Sequence, residues 1–453
     1  MPAYVVRAGY VPTRFLQVPT GFRILDLLFA NFQPNDQIGV NLFVKNISQL
    51  VTIASRGKRM KAGREMRDVG ALRDAGVLCE KGKISWVGPM SEWSQELPPD
   101  VPELDASGRV VLPGFVDSHT HTMFAGTRVD EFSLRVQGAT YEQIAAQGGG
   151  ILKTVKHVRA ATKRDLKRST AKYLVEMMKL GTTSVEIKSG YGLDVDSEIR
   201  MLEAIKELRD EEMITVVPTF MGAHAIPPEY TQNRRAYVDL VIDKMMTYVG
   251  KKKLASFCDV FCEKGYFDLA EAEQILCGGQ KHGMAPKIHA DELSPLGGAQ
   301  LAAKVGAVSA DHLEHVTDEG IAALREAEVV GTLLPGVSFF LHHGYAPARK
   351  MIDSGVAVAL ATDFNPGSCM SYSMPLMMTI ACTQMQMTPE EALTAATLNG
   401  AAALNISSTV GSIEVGKRAD LIVANVPDYR FLAYHFGTNH ICMTIKNGTI
   451  LEL

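Results

Sequence analysis

Eight short apolar runs alternate along this chain with longer segments whose apolar residues recur at helical spacing. The runs span residues 115–121, 182–188, 214–220, 258–262, 286–290, 307–312, 329–334 and 356–362. Segments of helical spacing between them include residues 162–180, 197–212, 268–282, 297–305 and 318–327. A strand followed by a helix, repeated eight times, predicts an α/β fold of the (β/α)8 TIM-barrel type. A doubly wound open sheet is the alternative architecture.

The segments on either side of this core differ in character from it. Residues 40–111 and 411–453 contain short strand-like pieces broken by glycine, proline, aspartate and asparagine. This shared character suggests one small β-domain built from both ends of the chain. We therefore expect an N-terminal extension at 1–40, the first part of the small domain at 41–112, the barrel at 113–405 and the second part of the small domain at 406–453.

Composition and charge limit the ligands that such a chain can bind. The 453 residues are 46% hydrophobic and 21% charged, which is typical of a globular protein. The net charge of −4 and the lack of a long block of like charge argue against a nucleic-acid or membrane partner. No run reaches the ~18 consecutive apolar residues that a membrane-spanning helix needs. A small polar molecule is the expected ligand.

Cysteine usage and the N-terminal residues bear on location. Seven cysteines without a Cys-x-x-Cys pair favour reduced thiols and a cytoplasmic protein. The first 25 residues hold Arg7, Arg14 and Arg23 and no acidic residue, as mitochondrial targeting segments do, but they lack the serines of such segments. A cleavable targeting segment and a simple N-terminal arm are the two interpretations.

Five residues that can ligate a metal end or follow the apolar runs. His119 and His121 end the first run, His289 ends the fifth, His312 ends the sixth and Asp363 follows the eighth. Residues two apart on a strand point to the same face, so the first two imidazoles can bind one cation. Active sites of (β/α)8 barrels lie at the carboxyl ends of their strands. We therefore expect the five side chains to meet there and to bind a metal.

Several longer motifs carry a resemblance to a known family. They are Leu-Pro-Gly-Phe-Val-Asp-Ser-His-Thr-His, Lys-Ser-Gly-Tyr-Gly-Leu, Met-Gly-Ala-His-Ala-Ile-Pro, Ile-His-Ala-Asp-Glu, Ser-Ala-Asp-His-Leu and Thr-Asp-Phe-Asn-Pro-Gly-Ser. Over residues 40–453 the chain resembles the metal-dependent amidohydrolase superfamily and, within it, the imidazolonepropionase family. The resemblance implies a barrel with a composite β-sandwich, a homodimer, and the opening of 4-imidazolone-5-propanoate by water to N-formimidoyl-L-glutamate in histidine breakdown.

The resemblance also implies a metal site. It assigns His119, His121, His289 and Asp363 as ligands of one divalent or trivalent ion, and this ligand set suits either zinc or iron. Related two-metal enzymes often use a carboxylated lysine at the end of the fourth strand. Here that strand ends in Glu263-Lys264, in uncertain register. We therefore expect one metal, which lowers the pKa of its bound water and polarises the ring carbonyl.

The family match further assigns the substrate contacts and the proton transfers. The residues expected to bind the substrate are Arg128, Tyr191, His224, Glu292, Asn365, Gly367 and Ser368. The first three are expected to hold the propionate, since an arginine fork suits a carboxylate. His312 is the expected general base because a histidine titrates near neutral pH, and Asp363 is a second candidate for that role. Glu292 is expected to bond the ring nitrogens and to help move the proton.

Two other functions are compatible with parts of this pattern. A deaminase of the same superfamily that acts on a nitrogen heterocycle needs the same metal ligands, but Arg128 with Tyr191 and His224 favours a carboxylate-bearing ligand. A non-catalytic scaffold with this barrel generally lacks metal ligands. All the expected ligands are present here, which favours an enzyme.

Overall fold

A computed structural model describes residues 41–139, 143, 148–211 and 213–451. The extension predicted for residues 1–40 lies outside the described residues. Among the described residues, no helix combines the length and apolarity needed to cross a membrane. All seven cysteines are described, and all are free thiols.

Eight parallel strands form one sheet in which neighbours in sequence are neighbours in space. In chain order they are Phe115–Asp117, Thr182–Lys188, Thr215–Ala223, Phe257–Cys262, Ala285–Ala290, Ser309–His312, Val330–Leu333 and Val358–Leu360. A parallel bridge between Thr120 and Phe364 joins the two ends of the sheet. The predicted (β/α)8 barrel is therefore confirmed. The doubly wound alternative is wrong, because the strand order of such a sheet reverses at its centre.

Helices connect the strands and cover the barrel. The longer helices are Val129–Val136, Ile151–Ala160, Lys163–Lys179, Val195–Asp210, Arg234–Leu240, Leu269–Lys281, Gly298–Lys304, Asp318–Glu326, Pro335–Leu341 and Met374–Gln384. Shorter helices are Thr247–Lys252, Ala348–Asp353, Pro389–Thr394, Gly400–Ala402 and Phe431–Tyr434, and two π-helical turns span Val241–Met246 and Ala395–Asn399. Short 3-10 turns span Gly63–Arg67, Met90–Glu92 and Pro228–Tyr230. All five helices that helical spacing predicted are present.

The first and last barrel strands are shorter than predicted. The expected 115–121 and 356–362 end instead at Asp117 and Leu360. Beyond these points the two chain segments pair with each other, through the N–H of Asp363 to the carbonyl of His119 at 3.0 Å and the N–H of His121 to the carbonyl of Phe364 at 3.1 Å. The first two histidines therefore lie past the strand, on the segment that closes the barrel.

Two further sheets form a small domain from both ends of the chain. One has four strands, Leu42–Ile47, Ala75–Glu80, Lys83–Pro89 and Glu103–Asp105. The other has six, Gln49–Val51, Ala71–Leu72, Val110–Pro113, Leu421–Ala424, Ile441–Lys446 and Thr449–Ile450. Buried residues of both sheets, among them Ile47, Val77, Leu421 and Ile445, share one core. The composite β-domain is therefore present. We propose that its two parts span residues 41–112 and 406–453 and that the barrel spans residues 113–405.

Candidate active site

The candidate metal ligands lie together at the carboxyl ends of the barrel strands. Nε2 of His119 and Nε2 of His121 are each 3.4 Å from Oδ1 of Asp363. Nε2 of His121 is also 3.4 Å from Nε2 of His289. One ring nitrogen from each of the three histidines lies within 4.8 Å of the other two. The four side chains therefore surround one small volume.

Buried carboxylates orient two of these rings. Nδ1 of His119 is 2.6 Å from Oδ2 of Asp311, and Nδ1 of His289 is 3.0 Å from Oδ1 of Asp259. When Nδ1–H donates to a carboxylate, the opposite nitrogen keeps its lone pair free. Both rings thus present an Nε2 lone pair to the cluster.

The protonation states of the cluster suit a cation. Burial lowers the pKa of His119 and that of His121 well below the usual range, so both rings are neutral. Burial raises the pKa of Asp363 to about 6, which leaves it mostly ionised at neutral pH. Its Oδ2 accepts hydrogen bonds from Nδ2 of Asn365 at 3.0 Å and from Oγ of Ser368 at 3.2 Å.

The residues of this cluster fit a divalent metal ion. Nε2 of His119 and Oδ1 of Asp363 are buried and have no hydrogen-bond partner among the described residues. Buried polar atoms rarely lack a hydrogen-bond partner, so each of these two atoms needs an explanation. Both atoms face the volume that the three histidines surround, and a metal ion would satisfy them.

A fully buried network of charges contacts the ring-orienting carboxylates. Nζ of Lys188 lies 2.6 Å from Oδ2 of Asp259 and 2.7 Å from Oε2 of Glu186. Nζ of Lys287 lies 3.6 Å from both Glu186 and Asp311. Burial lowers the pKa of Lys188, but the surrounding carboxylates raise it overall, so the ammonium stays charged. These carboxylates are therefore paired with ammonium groups.

Sequence analysis did not identify this network. Its members are Glu186, Lys188, Asp259, Lys287 and Asp311, and each lies within one of the predicted apolar runs. A charge in a strand that is covered on both faces must be paired to be tolerated. The charged residues within the apolar runs were therefore the sequence signal that could have revealed this network.

A cavity of about 530 Å³ adjoins the metal cluster. His121, His289, His312 and Asp363 line it. It also brings together all seven residues predicted to bind the substrate, namely Arg128, Tyr191, His224, Glu292, Asn365, Gly367 and Ser368. Residues from five different loops and strands thus share one space next to the candidate metal site.

Arg128 is held at the wall of this cavity by a buried acid. Its Nε donates to Oε2 of Glu131 at 2.8 Å, and the Arg128 side chain is 12% exposed. Its guanidinium lies against Gly367, where a Cβ atom would be 2.1 Å from Nη1 of Arg128. Only glycine leaves room for the guanidinium at that position.

Tyr191 lies in the loop 190–193, which a buried carboxylate fixes. Three backbone N–H groups of this loop donate to Glu198 at 2.7 to 3.2 Å. The carbonyl of Gly190 is 3.1 Å from Nδ1 of His224. Burial lowers the pKa of His224 to about 3, so its ring is neutral. Glu198 therefore positions both a phenol and an imidazole in the cavity, and sequence analysis missed it.

His312 lies between two carboxylates. Its Nε2 is 3.4 Å from Oε2 of Glu292, and its Nδ1 is 3.7 Å from Oε2 of Glu314. Burial lowers the pKa of His312, but the two carboxylates outweigh it and raise the pKa to about 10. Burial raises the pKa of Glu292 to about 7. The pair can therefore hold a proton close to the metal cluster.

The residues that end the fourth strand do not reach the cluster as ligands. The Glu263 carboxylate accepts the N–H of Leu293 at 2.9 Å and that of Ser294 at 3.3 Å. Lys264 is exposed. Lys264 is therefore not placed to bridge two ions at this cluster.

Comparison with known proteins identifies the relatives of this chain. The model of the amidohydrolase family matches residues 270–451. An imidazolonepropionase of Porphyromonas gingivalis is 46% identical over 420 residues, covering 92% of this chain and 99% of the relative. An imidazolonepropionase of Geobacillus sp. is 46% identical over 413 residues, covering 90% and 97%.

Solved structures share the fold at low sequence identity. A triazine hydrolase variant has a TM-score of 0.71 at 16% identity and covers 91% of this chain and 94% of its own. A zinc-bound adenosine deaminase of Xanthomonas campestris has a TM-score of 0.67 at 19% identity, covering 91% and 95%. These structures support the barrel architecture, and the closer similarity to the sequence relatives shows that this chain belongs to the imidazolonepropionase family of amidohydrolases.

Proposed function

We propose that the protein hydrolyses the ring C–N amide bond of 4-imidazolone-5-propanoate to give N-formimidoyl-L-glutamate. One observation carries this proposal: a single cavity joins the cluster of three histidines and Asp363 to the arginine Arg128. The first part suits water activation, and the second suits a carboxylate on the substrate. A neutral heterocycle, the substrate of the alternative deaminase, has no negative charge to pair with the arginine.

We further propose that His119, His121, His289 and Asp363 hold one zinc or iron ion. When bound, this ion supplies a water of lowered pKa and polarises the ring carbonyl. Elemental analysis of the purified protein identifies the metal.

The residues of the cavity orient the substrate in this proposal. The guanidinium of Arg128 binds the propionate, and its bond to Glu131 keeps it in place. Burial and the Asp363 charge raise the pKa of Tyr191, so its hydroxyl stays protonated and donates to the ligand. His224 is neutral and lies in stacked contact with His121, with ring centroids 4.8 Å apart. The propionate thus fixes the ring against the metal cluster.

His312 and Glu292 carry the proton in this proposal. His312 can accept a proton from water only when its ring is neutral. Its ring centroid is 5.1 Å from that of His289, so a cation held by His289 would oppose the carboxylates that raise the pKa of His312. Glu292, with a pKa raised to about 7, can pass the proton to the departing ring nitrogen. Asp363 is the second candidate for the base.

A substrate panel tests the proposal. Ring opening of imidazolone propionate is followed by ultraviolet absorbance, and ammonia release is followed for neutral heterocycles that carry an amino group, such as cytosine and guanine. We expect turnover of the imidazolone alone. Ammonia release from a neutral base without imidazolone turnover would support the deaminase instead.

We also propose a homodimer in the cytoplasm. The family resemblance supports the homodimer, and seven free cysteines support the cytoplasmic location. Sedimentation of the purified protein tests the oligomeric state.

A further inference from the structure

The helix Val129–Val136 at the cavity has its apolar side turned to solvent. Val129 is 61% exposed, Phe132 is 44% exposed and Val136 is 72% exposed. A surface helix normally turns its apolar stripe to the core and its charges to water. This helix departs from that pattern: three apolar residues are exposed, although the charged Asp130 is exposed as well, and the other charged residues at the helix line the cavity.

That charged side consists of Arg128, Glu131 and Arg135. The residues are spaced by three and four positions, which places them on one face of the helix. Glu131 is 3% exposed, and all three line the cavity. Burying charges is costly unless they are paired. Their position at the cavity therefore indicates that these charges have a partner or a ligand there.

Arg135 is fixed in place but keeps one donor group unpaired. Its Nη2 donates to the carbonyl of Gly367 at 3.1 Å, and its Cζ lies 5.5 Å from the ring centroid of Phe340. Its Nη1 is buried and has no hydrogen-bond partner among the described residues. A buried guanidinium nitrogen without a partner at a cavity wall can donate a hydrogen bond to a ligand in the cavity.

The charges on this face do not balance. Glu131 is the single carboxylate among these three side chains, and it bonds Nε of Arg128 and also accepts the N–H of Gly150 at 3.2 Å. Burial lowers the pKa of Arg135, and the charge of Arg128 lowers it further. Two cations and one anion leave one positive charge at the cavity wall. One ligand carboxylate would neutralise it.

We propose that Arg135 is a second carboxylate-binding residue, which together with Arg128 holds the propionate of the substrate. This inference rests on the proposed function for the identity of the substrate. A carboxylate has two oxygens and about four acceptor positions, so it can accept from both guanidiniums at once. The pair makes the cavity select an acid over its amide or ester.

Binding of two imidazole probes tests the role of Arg135 by calorimetry. One probe is 3-(imidazol-4-yl)propanoate, which carries the carboxylate, and the other is 4-methylimidazole, which lacks it. We expect Arg135→Gln to raise the Kd of the propanoate about ten- to a hundredfold and to leave the Kd of 4-methylimidazole unchanged. Arg168→Gln removes the charge of an exposed arginine on the Lys163–Lys179 helix, and we expect it to change neither value.

Two results would overturn the inference. Equal weakening of both probes would show that Arg135 acts only by placing the Gly367 segment, and no weakening of either would remove it from the site. Arg135→Lys keeps the positive charge but loses the planar guanidinium, so it should raise the Kd of the propanoate alone. This variant tests the role of Arg135 if Arg135→Gln does not fold. Failure of the unmodified protein to open imidazolone propionate would refute the proposed function, while the probe comparison would still decide the role of Arg135.

Discussion

His121 depends on the metal cluster more than the other two histidines do. Carboxylates hold Nδ1 of His119 and Nδ1 of His289, whereas Nδ1 of His121 is buried without a partner among the described residues. Among the described residues, the polar contacts of its Nε2 are with other members of the cluster. We infer that a bound metal is the main interaction that fixes this ring.

Replacing His121 should therefore remove most of the metal. His121→Ala deletes one of four ligands, and metal affinity depends steeply on the ligand count. We expect about one ion in the unmodified protein and far less in the variant, measured by elemental analysis. His435→Ala, at an exposed histidine of the C-terminal segment, is the matched control and should keep the metal. Unchanged metal in His121→Ala would remove this residue from the ligand set.

His312 should affect the reaction without affecting metal content. It contacts Glu292 and Glu314 and is proposed to move a proton rather than to bind the metal. We expect His312→Ala to keep its ion while kcat falls by about 10²- to 10⁴-fold, as loss of a general base usually costs. Loss of the metal together with activity would instead make His312 a ligand.

The residue scale also shows where sequence reasoning stops. The clustering of His119, His121, His289 and Asp363 was predictable because these residues follow strand runs whose ends must meet in a barrel. Asp259 and Asp311 were not, because nothing in one sequence distinguishes a carboxylate that orients an imidazole from one that caps a turn. Glu131 and Arg135 were missed because nothing in one sequence distinguishes charges that line a cavity from charges on a solvated helix face.

At the scale of elements, the loop 190–193 depends on one buried acid of the next helix. Glu198 lies near the start of Val195–Asp210 and accepts three N–H groups of the loop that carries Tyr191. An amide in place of the carboxylate removes the charge and sets an NH2 group against backbone donors. Such an exchange in a buried site costs about 1.5 to 3 kcal/mol of stability.

Glu198→Gln should therefore raise KM and lower the apparent Tm while the metal stays bound. The reason is that Tyr191 and His224 lose their position while the metal ligands do not. Steady-state ring-opening kinetics, thermal unfolding and elemental analysis on the same sample measure the three effects. Glu203→Gln changes a 40%-exposed acid on the same helix and should alter none of them. An unchanged KM in Glu198→Gln would show that the loop does not need this carboxylate.

Strand positions were more predictable than strand ends. Continuous apolar runs identified all eight barrel strands, since a strand covered on both faces must be apolar. The ends of the first and last strands were wrong because the segments past Asp117 and Leu360 leave the regular strand and bond to each other where the barrel closes. Closure is a property of the whole sheet, and the local sequence does not encode it.

At the scale of the whole molecule, Glu414 links the C-terminal part of the described chain to its N-terminal part. It accepts the N–H of Ser55 at 2.9 Å and that of Arg56 at 3.1 Å, and it lies 3.3 Å from the Lys417 ammonium. Burial raises the pKa of Glu414, but the bonds from Ser412 and Ser55 and the Lys417 charge outweigh it and lower the pKa to about 2. The ionised form is therefore favoured by the folded state.

This lowered pKa predicts how stability changes with pH. In the unfolded chain the group titrates near its usual value of about 4.3. Glu414 therefore contributes its full stabilisation above that value and loses it as the pH falls towards 2. We expect Glu414→Gln to be less stable than the unmodified protein by about 1 to 3 kcal/mol at neutral pH.

The gap in apparent Tm between the two proteins should shrink as the pH falls from about 5 to 2. Thermal unfolding followed by circular dichroism measures it. Glu326→Gln, at an acid with a 72%-exposed side chain, should show almost no gap at any pH. A gap for Glu414→Gln that does not depend on pH would show that its charge does not stabilise the fold.

We propose that the protein opens the ring of imidazolone propionate with the help of a metal that His119, His121, His289 and Asp363 would hold. Ultraviolet monitoring of imidazolone propionate loss tests it most directly, with the protein as purified, after chelator treatment, and after return of zinc or iron. We predict that the rate falls in parallel with the metal content and returns with about one ion per chain. Full turnover by protein that elemental analysis shows to be free of metal would contradict the claim.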